Sequence, residues 1–442
     1  MENNMKIGMV SLGCAKNQTD AEIMLGLLAE RGHEIVNDPK EAEAIIVNTC
    51  GFITPAKQES IDTVLEMAEY KKSGKCRLLI ATGCLAERYN TEMEKEIPEL
   101  DAILGTGDFD RIAEIIEKGE KTCIFGHQDY DLPENLPRIL TTPFYTAYLK
   151  IADGCDNNCT YCAIPKIRGH YKSRKMEDIV LEAQRLAENG VKELILIAQD
   201  TTRYGIDLYG EPMLAKLLEK LCEIDGIHWI RTHYFYTEAI TDELIRVIAE
   251  NDKICSYVDM PIQHINDEIL RRMARRTNRR EIEERMAKLR REIPDVTVRT
   301  SIIAGFPGET EAQFKELSEA IKSLKFDRMG VFAYSREEDT AAYDFPDQID
   351  EATKEERKNK LMEIQQKISL EKNRAKIGTV CEVLCEGYDA DNFMYFGRSR
   401  ADSIDVDGKV YFASEDEVEI GAFVNVEILD ADEYDLTGRT VI

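Results

Sequence analysis

The stretch GCDNNCTYCAIPKIRG, residues 154–169, carries cysteines at 155, 159 and 162. The spacing Cys-x3-Cys-x2-Cys packs three soft thiolates, Cys155, Cys159 and Cys162, into eight residues and supplies no fourth. Thiolates select zinc, copper(I) or iron–sulfur centres. Structural zinc sites close with four ligands, so a compact trio points to a metal centre that keeps one position open. Zinc with a fourth ligand from elsewhere in the chain is the competing reading, although nothing near the trio completes a tetrahedral set.

Around this trio, residues 140–350 repeat a strand–helix unit six times. The predicted strands are TAYLKIADGC, ELILIAQD, HWIRTHYF, YVDMPIQH, VRTSIIAGF and MGVFAYSR. Six such units predict a partial (β/α)6 barrel, with its chemistry at the C-terminal strand ends. The trio follows the first strand, as that rule requires. Later strand ends are polar or glycine-rich. AQDTTRYG (198–205) offers Gln199 and Asp200, and IIAGFPGET (302–310) offers Gly305, Gly308 and Glu309. Gly305 and Gly308 would let backbone approach a ligand, though a Gly-Phe-Pro-Gly run is also an ordinary turn. Asp259 and His264, in VDMPIQH, form a further pair at a strand end, with a structural role the leading reading for His264 alone.

Upstream, residues 1–125 also alternate strand and helix, which predicts a doubly wound parallel sheet. Three of its strands run out at cysteines: Cys14 in KIGMVSLGC, Cys50 in AEAIIVNTC and Cys84 in RLLIATGC. Ligand sites in open parallel sheets lie beyond the carboxyl ends of the strands, so three thiolates from separate strands converge on one region. One such cysteine could be a small buried hydrophobe. Three in the same topological position predict a second metal site. Cys76 and Cys123 lie away from strand ends and are read as bystanders.

Downstream, residues 351–375 predict a charged helical connector with Leu361, Ile364 and Ile368 on one face. Residues 376–442 predict a small all-β barrel resembling an oligonucleotide-binding fold. This module carries 16 Asp/Glu against 5 Lys/Arg, the wrong sign for clamping phosphates. Cys381 and Cys385, four apart on one predicted strand, are read as packing residues.

The 442-residue chain bears a formal net charge of −27, which attracts basic proteins and repels phosphate backbones. Its start has no basic segment leading into an apolar run, and its apolar runs are strand-sized, so neither a signal peptide nor a membrane span is expected. Twelve cysteines that do not form a disulfide framework fit a reducing cytoplasm.

The trio closely resembles the cysteine signature of radical S-adenosylmethionine enzymes. The whole chain resembles the methylthiotransferase family, with its three-cysteine N-terminal domain, radical S-adenosylmethionine barrel and C-terminal TRAM domain. SLGCAKNQTDAEIMLG (11–26) and the trio segment look like the branch that modifies a ribosomal protein. The tRNA-modifying branch has a YGC-Q-MN stretch at the first cysteine, where this chain places Leu12, Ala15 and Lys16. The resemblance implies two 4Fe-4S clusters, one on each cysteine trio, and no catalytic side chain beyond their ligands. It implies S-adenosylmethionine as cofactor, with Tyr161 beside its adenine and Gln199, Asp200, Gly305 and Glu309 as further contacts. The substrate implied is ribosomal protein S-twelve of the small subunit, methylthiolated at the β-carbon of an aspartate. An external electron donor and a sulfur source are implied partners; nucleic acid and membrane are not. tRNA adenosine methylthiolation, a non-catalytic iron–sulfur carrier and a two-site zinc protein remain the rival readings.

Overall fold

Six parallel strands form the first sheet of the computed structural model, which describes residues 4–128 and 136–441. They are β1 (Lys6–Ser11), β2 (Glu34–Ile35), β3 (Ala44–Thr49), β4 (Leu78–Gly83), β5 (Ala102–Leu104) and β6 (Thr122–Ile124), in the order β2-β1-β3-β4-β5-β6. The central strands AIIVNT and LLIATG are buried at every position, as a parallel sheet covered on both faces demands. Alternate residues serve opposite layers. Ile7, Ala44, Ile46, Ile80 and Leu104 pack with helices Ala15–Glu30 and Ile112–Lys118. Ile45, Val47, Leu79, Ala81 and Ile103 pack with helix Thr54–Ala68. The winding reverses between β1 and β3, and a doubly wound sheet opens its crevice at such a switch point.

The chain continues through β7 (Thr146–Lys150), β8 (Ala152–Asp153), β9 (Lys172–Ser173), β10 (Glu193–Ile197), β11 (Trp229–Thr232), β12 (Tyr257–Asp259), β13 (Thr297–Ala304) and β14 (Arg328–Ala333). Parallel sheets β11-β10-β7 and β12-β13-β14 meet through the bridge Ile230↔Ile254, giving the six-stranded open barrel. The first predicted strand, TAYLKIADGC, divides at Ile151: β7 joins the barrel, while β8 pairs antiparallel with β9. The cysteine loop therefore hangs between β8 and β9. Ala147, Leu149, Leu194 and Leu196 face the outer helices, whereas Tyr148, Ile195 and Ile197 face the barrel interior.

Helix Glu351–Arg374 seats Leu361 and Ile368 on the main core. Strands β15 (Val380–Asp389), β16 (Met394–Ser399), β17 (Val410–Ala413), β18 (Phe423–Ala431) and β19 (Leu436–Thr440) close a small barrel in the order β15-β16-β17-β19-β18. Cys385 is buried in its core and Cys381 packs against it. The module reaches into the open side of the central barrel: Leu384 packs with Tyr145, Trp229 and Tyr257, and Ile404 joins Tyr148, Ile195 and Ile197. Among the described residues, no helix is long and apolar enough to cross a membrane.

Candidate active site: two cysteine trios across one interface

Cys14 is the N-cap of helix Ala15–Glu30, Cys50 follows β3 directly, and Cys84 opens the short helix Cys84–Arg88 after β4. Cys14 and Cys50 thus flank the switch point. Gly13 has φ +92°, and a Cβ there would lie 2.9 Å from the Cys50 Cβ and 3.1 Å from its Sγ. Both the dihedral and the close approach exclude a side chain. Asn17 clips the three strand ends together. Its Nδ2 donates to Leu12 O at 3.0 Å and Thr49 O at 2.8 Å, and its Oδ1 accepts from Cys84 Sγ at 3.4 Å.

The three thiols sense one another. Burial pushes Cys84 up to about 12, and the Cys14 and Cys50 thiolates push the same way. Burial also raises Cys50. At Cys14 burial is overcome: Lys16 and Arg168, with backbone N–H groups of the following helix turn, hold the thiol below its ordinary value.

The central trio is held by its loop's own hydrogen bonds. Cys155 N donates to Gly169 O at 3.1 Å, and Asn157 N donates to Cys155 Sγ at 3.4 Å. Thr160 is anchored through N to Met273 O and through Oγ1 to Arg272 O. Burial pushes Cys155 up to about 11 and Cys162 up to about 12. Both trios would bind metal with release of protons, since the ligand is the thiolate.

The remaining sequence-predicted residues divide by what they touch. Gln199 Nε2 donates to Asp153 Oδ1 at 2.7 Å, while its buried Oε1 has no hydrogen-bond partner. Asp200 accepts from Asn157 Nδ2 at 2.9 Å and so holds the trio loop. Tyr161 packs against the apolar group that contains Phe306 and Tyr334. Gly305 N donates to Glu309 Oε2 at 3.0 Å, and Glu309 Oε1 accepts from Arg357 Nη1 at 2.9 Å. The space a Gly305 side chain would need is filled by Lys354, and that of Gly308 by Arg272. Asp259 accepts from Arg299 Nη1 at 2.9 Å and from Tyr234 N at 3.1 Å, while His264 is fully buried 3.5 Å from Glu309 Oε2.

Sequence reasoning missed the charges that join the trios. Arg168, six residues past Cys162, donates to Asp153 Oδ2 at 2.7 Å, Asp20 Oδ2 at 3.0 Å and Asn17 Oδ1 at 2.6 Å. Lys150 pairs with the same two carboxylates, Asp20 and Asp153. Against its burial, Arg168 and Lys150 hold Asp153 well below the usual carboxylate range. Cys84 meanwhile packs on Ala163 and Ile167, directly beyond Cys162. The charge of Lys16 favours the thiolates of both Cys14 and Cys162. Lys16 and Arg168 both fall inside the quoted motifs. Their residue type was the available signal, but no spacing rule says what they meet.

Among the described residues, no three Cys, His, Asp or Glu side chains gather at the distance of a single metal ion. An iron–sulfur cluster does not ask for that, because each thiolate takes a separate iron. Two sets of three soft donors, nearby cations and an unanswered buried acceptor on Gln199 fit such clusters and a bound S-adenosylmethionine.

Family models match three parts of the chain: "Uncharacterized protein family UPF0004" at residues 6–105, "Radical SAM superfamily" at 149–321 and "TRAM domain" at 377–441. The chain is 55% identical over 437 residues to the ribosomal protein uS12 methylthiotransferase RimO of Clostridioides difficile, covering 98% of each. It is 54% identical to the protein of that name from Caldanaerobacter subterraneus, covering 98% of this chain and 99% of the other. Among solved structures, the radical S-adenosylmethionine methyltransferase TsrM of Kitasatospora setae shares the fold, with a TM-score of 0.56 at 13% identity over 75% of this chain and 72% of that one.

Proposed function

The chain belongs to the ribosomal protein uS12 methylthiotransferase family, and from that premise we propose that it adds a methylthio group to the β-carbon of an aspartate in uS12. It is an S-adenosylmethionine-dependent transferase that uses iron–sulfur chemistry. The observation that supports the finer reading is the packing of Cys84, from the first trio, on Ala163 and Ile167, which follow the second trio in the chain.

Cys14, Cys50 and Cys84 would hold one 4Fe-4S cluster and Cys155, Cys159 and Cys162 a second, each leaving one iron without a protein ligand. When bound, the clusters and S-adenosylmethionine supply the radical and sulfur chemistry that an unactivated C–H bond requires and that side chains cannot perform. The chain's own residues orient and exclude. Gln199 offers Oε1 as an acceptor for a cofactor donor group, while its Nε2 is fixed on Asp153. Asp200 holds the trio loop through Asn157. Glu309 shapes the turn at Gly305, and Tyr161 supplies an apolar wall for the cofactor's adenine. Asn17 and Arg168 fix the first trio against the second. Reduction and sulfur supply call for an external electron donor and a sulfur source.

The substrate reading is supported by charge. A chain at −27, ending in a module with 16 acidic and 5 basic residues, steers a basic ribosomal protein inward and repels tRNA. The test is an anaerobic assay on reconstituted protein with S-adenosylmethionine and reductant. Purified uS12 and unmodified tRNA are offered separately and followed by mass spectrometry. A methylthio mass gain on an aspartate of uS12 is the expected result. Gain on tRNA alone would overturn the substrate, and deoxyadenosine without either product would overturn the methylthiotransferase reading.

A further inference from the structure

Lys16 is 7% exposed, and among the described residues it enters no ion pair. Its neighbours are otherwise well answered. Arg168 and Lys150 share Asp20 and Asp153. Lys16 Nζ instead lies over the ring of Tyr234, 3.9 Å from its centroid. A ring face attracts a cation without neutralising it. Its favourable neighbours are Tyr234 and the Cys14 thiol, with no carboxylate among the described residues, and a buried ammonium is costly unless an anion completes it.

The place is the junction of all three parts of the chain. Ala15 and Lys16 come from the N-terminal sheet's first helix, Tyr234 from the loop after β11, and Ile404 from the C-terminal module. The central barrel carries Tyr234 in a left-handed conformation, at φ +62°. Bulky residues rarely adopt it, and they keep it where the surroundings impose it. Here Tyr234 N donates to Asp259 Oδ2 at 3.1 Å, and Tyr234 O accepts from Thr201 N at 3.2 Å. Asp259 and Thr201 stand at two separate strand ends. The structure thus commits three elements to holding a ring under Lys16.

We propose that Lys16 is the counter-ion for the side-chain carboxylate of the substrate aspartate, which docks on Nζ between the two cysteine trios. This deepens the substrate reading above and rests on it. A carboxylate seated there brings the adjacent β-carbon into the space that both trios border. A substrate without a negative charge leaves the ammonium unanswered and is rejected. An adenosine has no carboxylate to bind.

The experiment measures binding of uS12 to the reconstituted protein without reductant, so that nothing turns over. Wild-type uS12 is compared with uS12 carrying asparagine at the modified aspartate, which mass spectrometry of the product locates. The wild-type enzyme should prefer the aspartate form by roughly tenfold to hundredfold, the range of a hydrogen bond to a charged group. Lys16→Met should bind both forms alike, and Lys16→Arg should keep part of the preference. Affinity for S-adenosylmethionine should be unchanged in both variants, with iron content and circular dichroism reporting assembly and folding. A wild-type enzyme that binds the two forms alike overturns the proposal without any variant. So does a Lys16→Met protein that retains the preference, or one that loses affinity for S-adenosylmethionine instead. Methylthiolation of tRNA rather than uS12 removes the substrate reading and this proposal with it. Methylthiolated uS12 with the preference intact in Lys16→Met overturns the counter-ion assignment alone.

Discussion

The central barrel grips the C-terminal module and the N-terminal domain through buried charge, and the two grips differ. Toward the C-terminal module, Glu193 accepts from Arg231 Nε at 3.0 Å and from Arg398 Nη2 at 2.6 Å. Arg398 Nε also donates to Glu386 at 2.7 Å, and Arg231 Nη1 to Arg400 O at 2.9 Å. Toward the N-terminal domain, Arg168 and Lys150 are paired just as fully, but Lys16 beside them is not. A buried ion pair adds little net stability, yet removing one partner is expensive. A closed network therefore reads as docking, and an open cation beside cysteine trios reads as a place kept for a ligand.

The comparison breaks most sharply at the cysteines. Cys84→Ala and Cys155→Ala should each leave a folded protein with no detectable methylthio product by mass spectrometry. Wild-type product from either would remove the two-cluster proposal. At the C-terminal interface, Glu193→Ala strands Arg231 and Arg398 and should cost about 3–5 kcal/mol, the range for breaking a buried pair. Trp229, the single tryptophan of the chain, reports on it, since its Nε1 donates to Glu382 of the C-terminal module at 3.2 Å. Denaturant unfolding followed by Trp229 fluorescence checks this. A loss below about 1 kcal/mol would mean the network is not what seats the module.

Acid separates the two sides next. Against burial, Arg398 and Arg231 hold Glu193 at about 2, below the ordinary 4.5. Its contribution is complete above the ordinary value and is lost as pH falls toward about 2. Trp229 fluorescence should therefore change across that window, and Glu193→Gln should remove that part of the acid response. The smallest effect belongs to the rim. Glu417 and Glu419 are exposed in the turn between β17 and β18, and reversing both to lysine should slow association with uS12 a few-fold at low salt. An equal slowing at high salt would rule out steering, because screening removes long-range attraction.

Most of the architecture was legible because its signals are local. Strand–helix alternation marks the first sheet and the open barrel, and the run-out of β3 and β4 at Cys50 and Cys84 follows from strand direction. The break of the first barrel strand at Ile151 was not legible, because KIADG stays apolar enough to read as one strand. Its division depends on the pairing of Ala152 with Ser173. A Cβ at Gly305 or Gly308 would meet Lys354 or Arg272, neighbours that the sequence does not place there. A glycine shows that something comes close but does not say what.

The sequence by itself determined where the two cysteine trios fall, since cysteine spacing within a loop and at parallel strand ends is a property of the chain's local course. It also determined the acidic character of the terminal module, which is a matter of composition. Only the tertiary structure decided that Cys84 packs on Ala163 and Ile167 just past the second trio, that Arg168 reaches Asn17, and that Lys16 rests on Tyr234 without a carboxylate. Those contacts join residues on separately folded elements. They are set by how the barrel's strand ends meet the sheet's, and no periodicity along the chain encodes that docking.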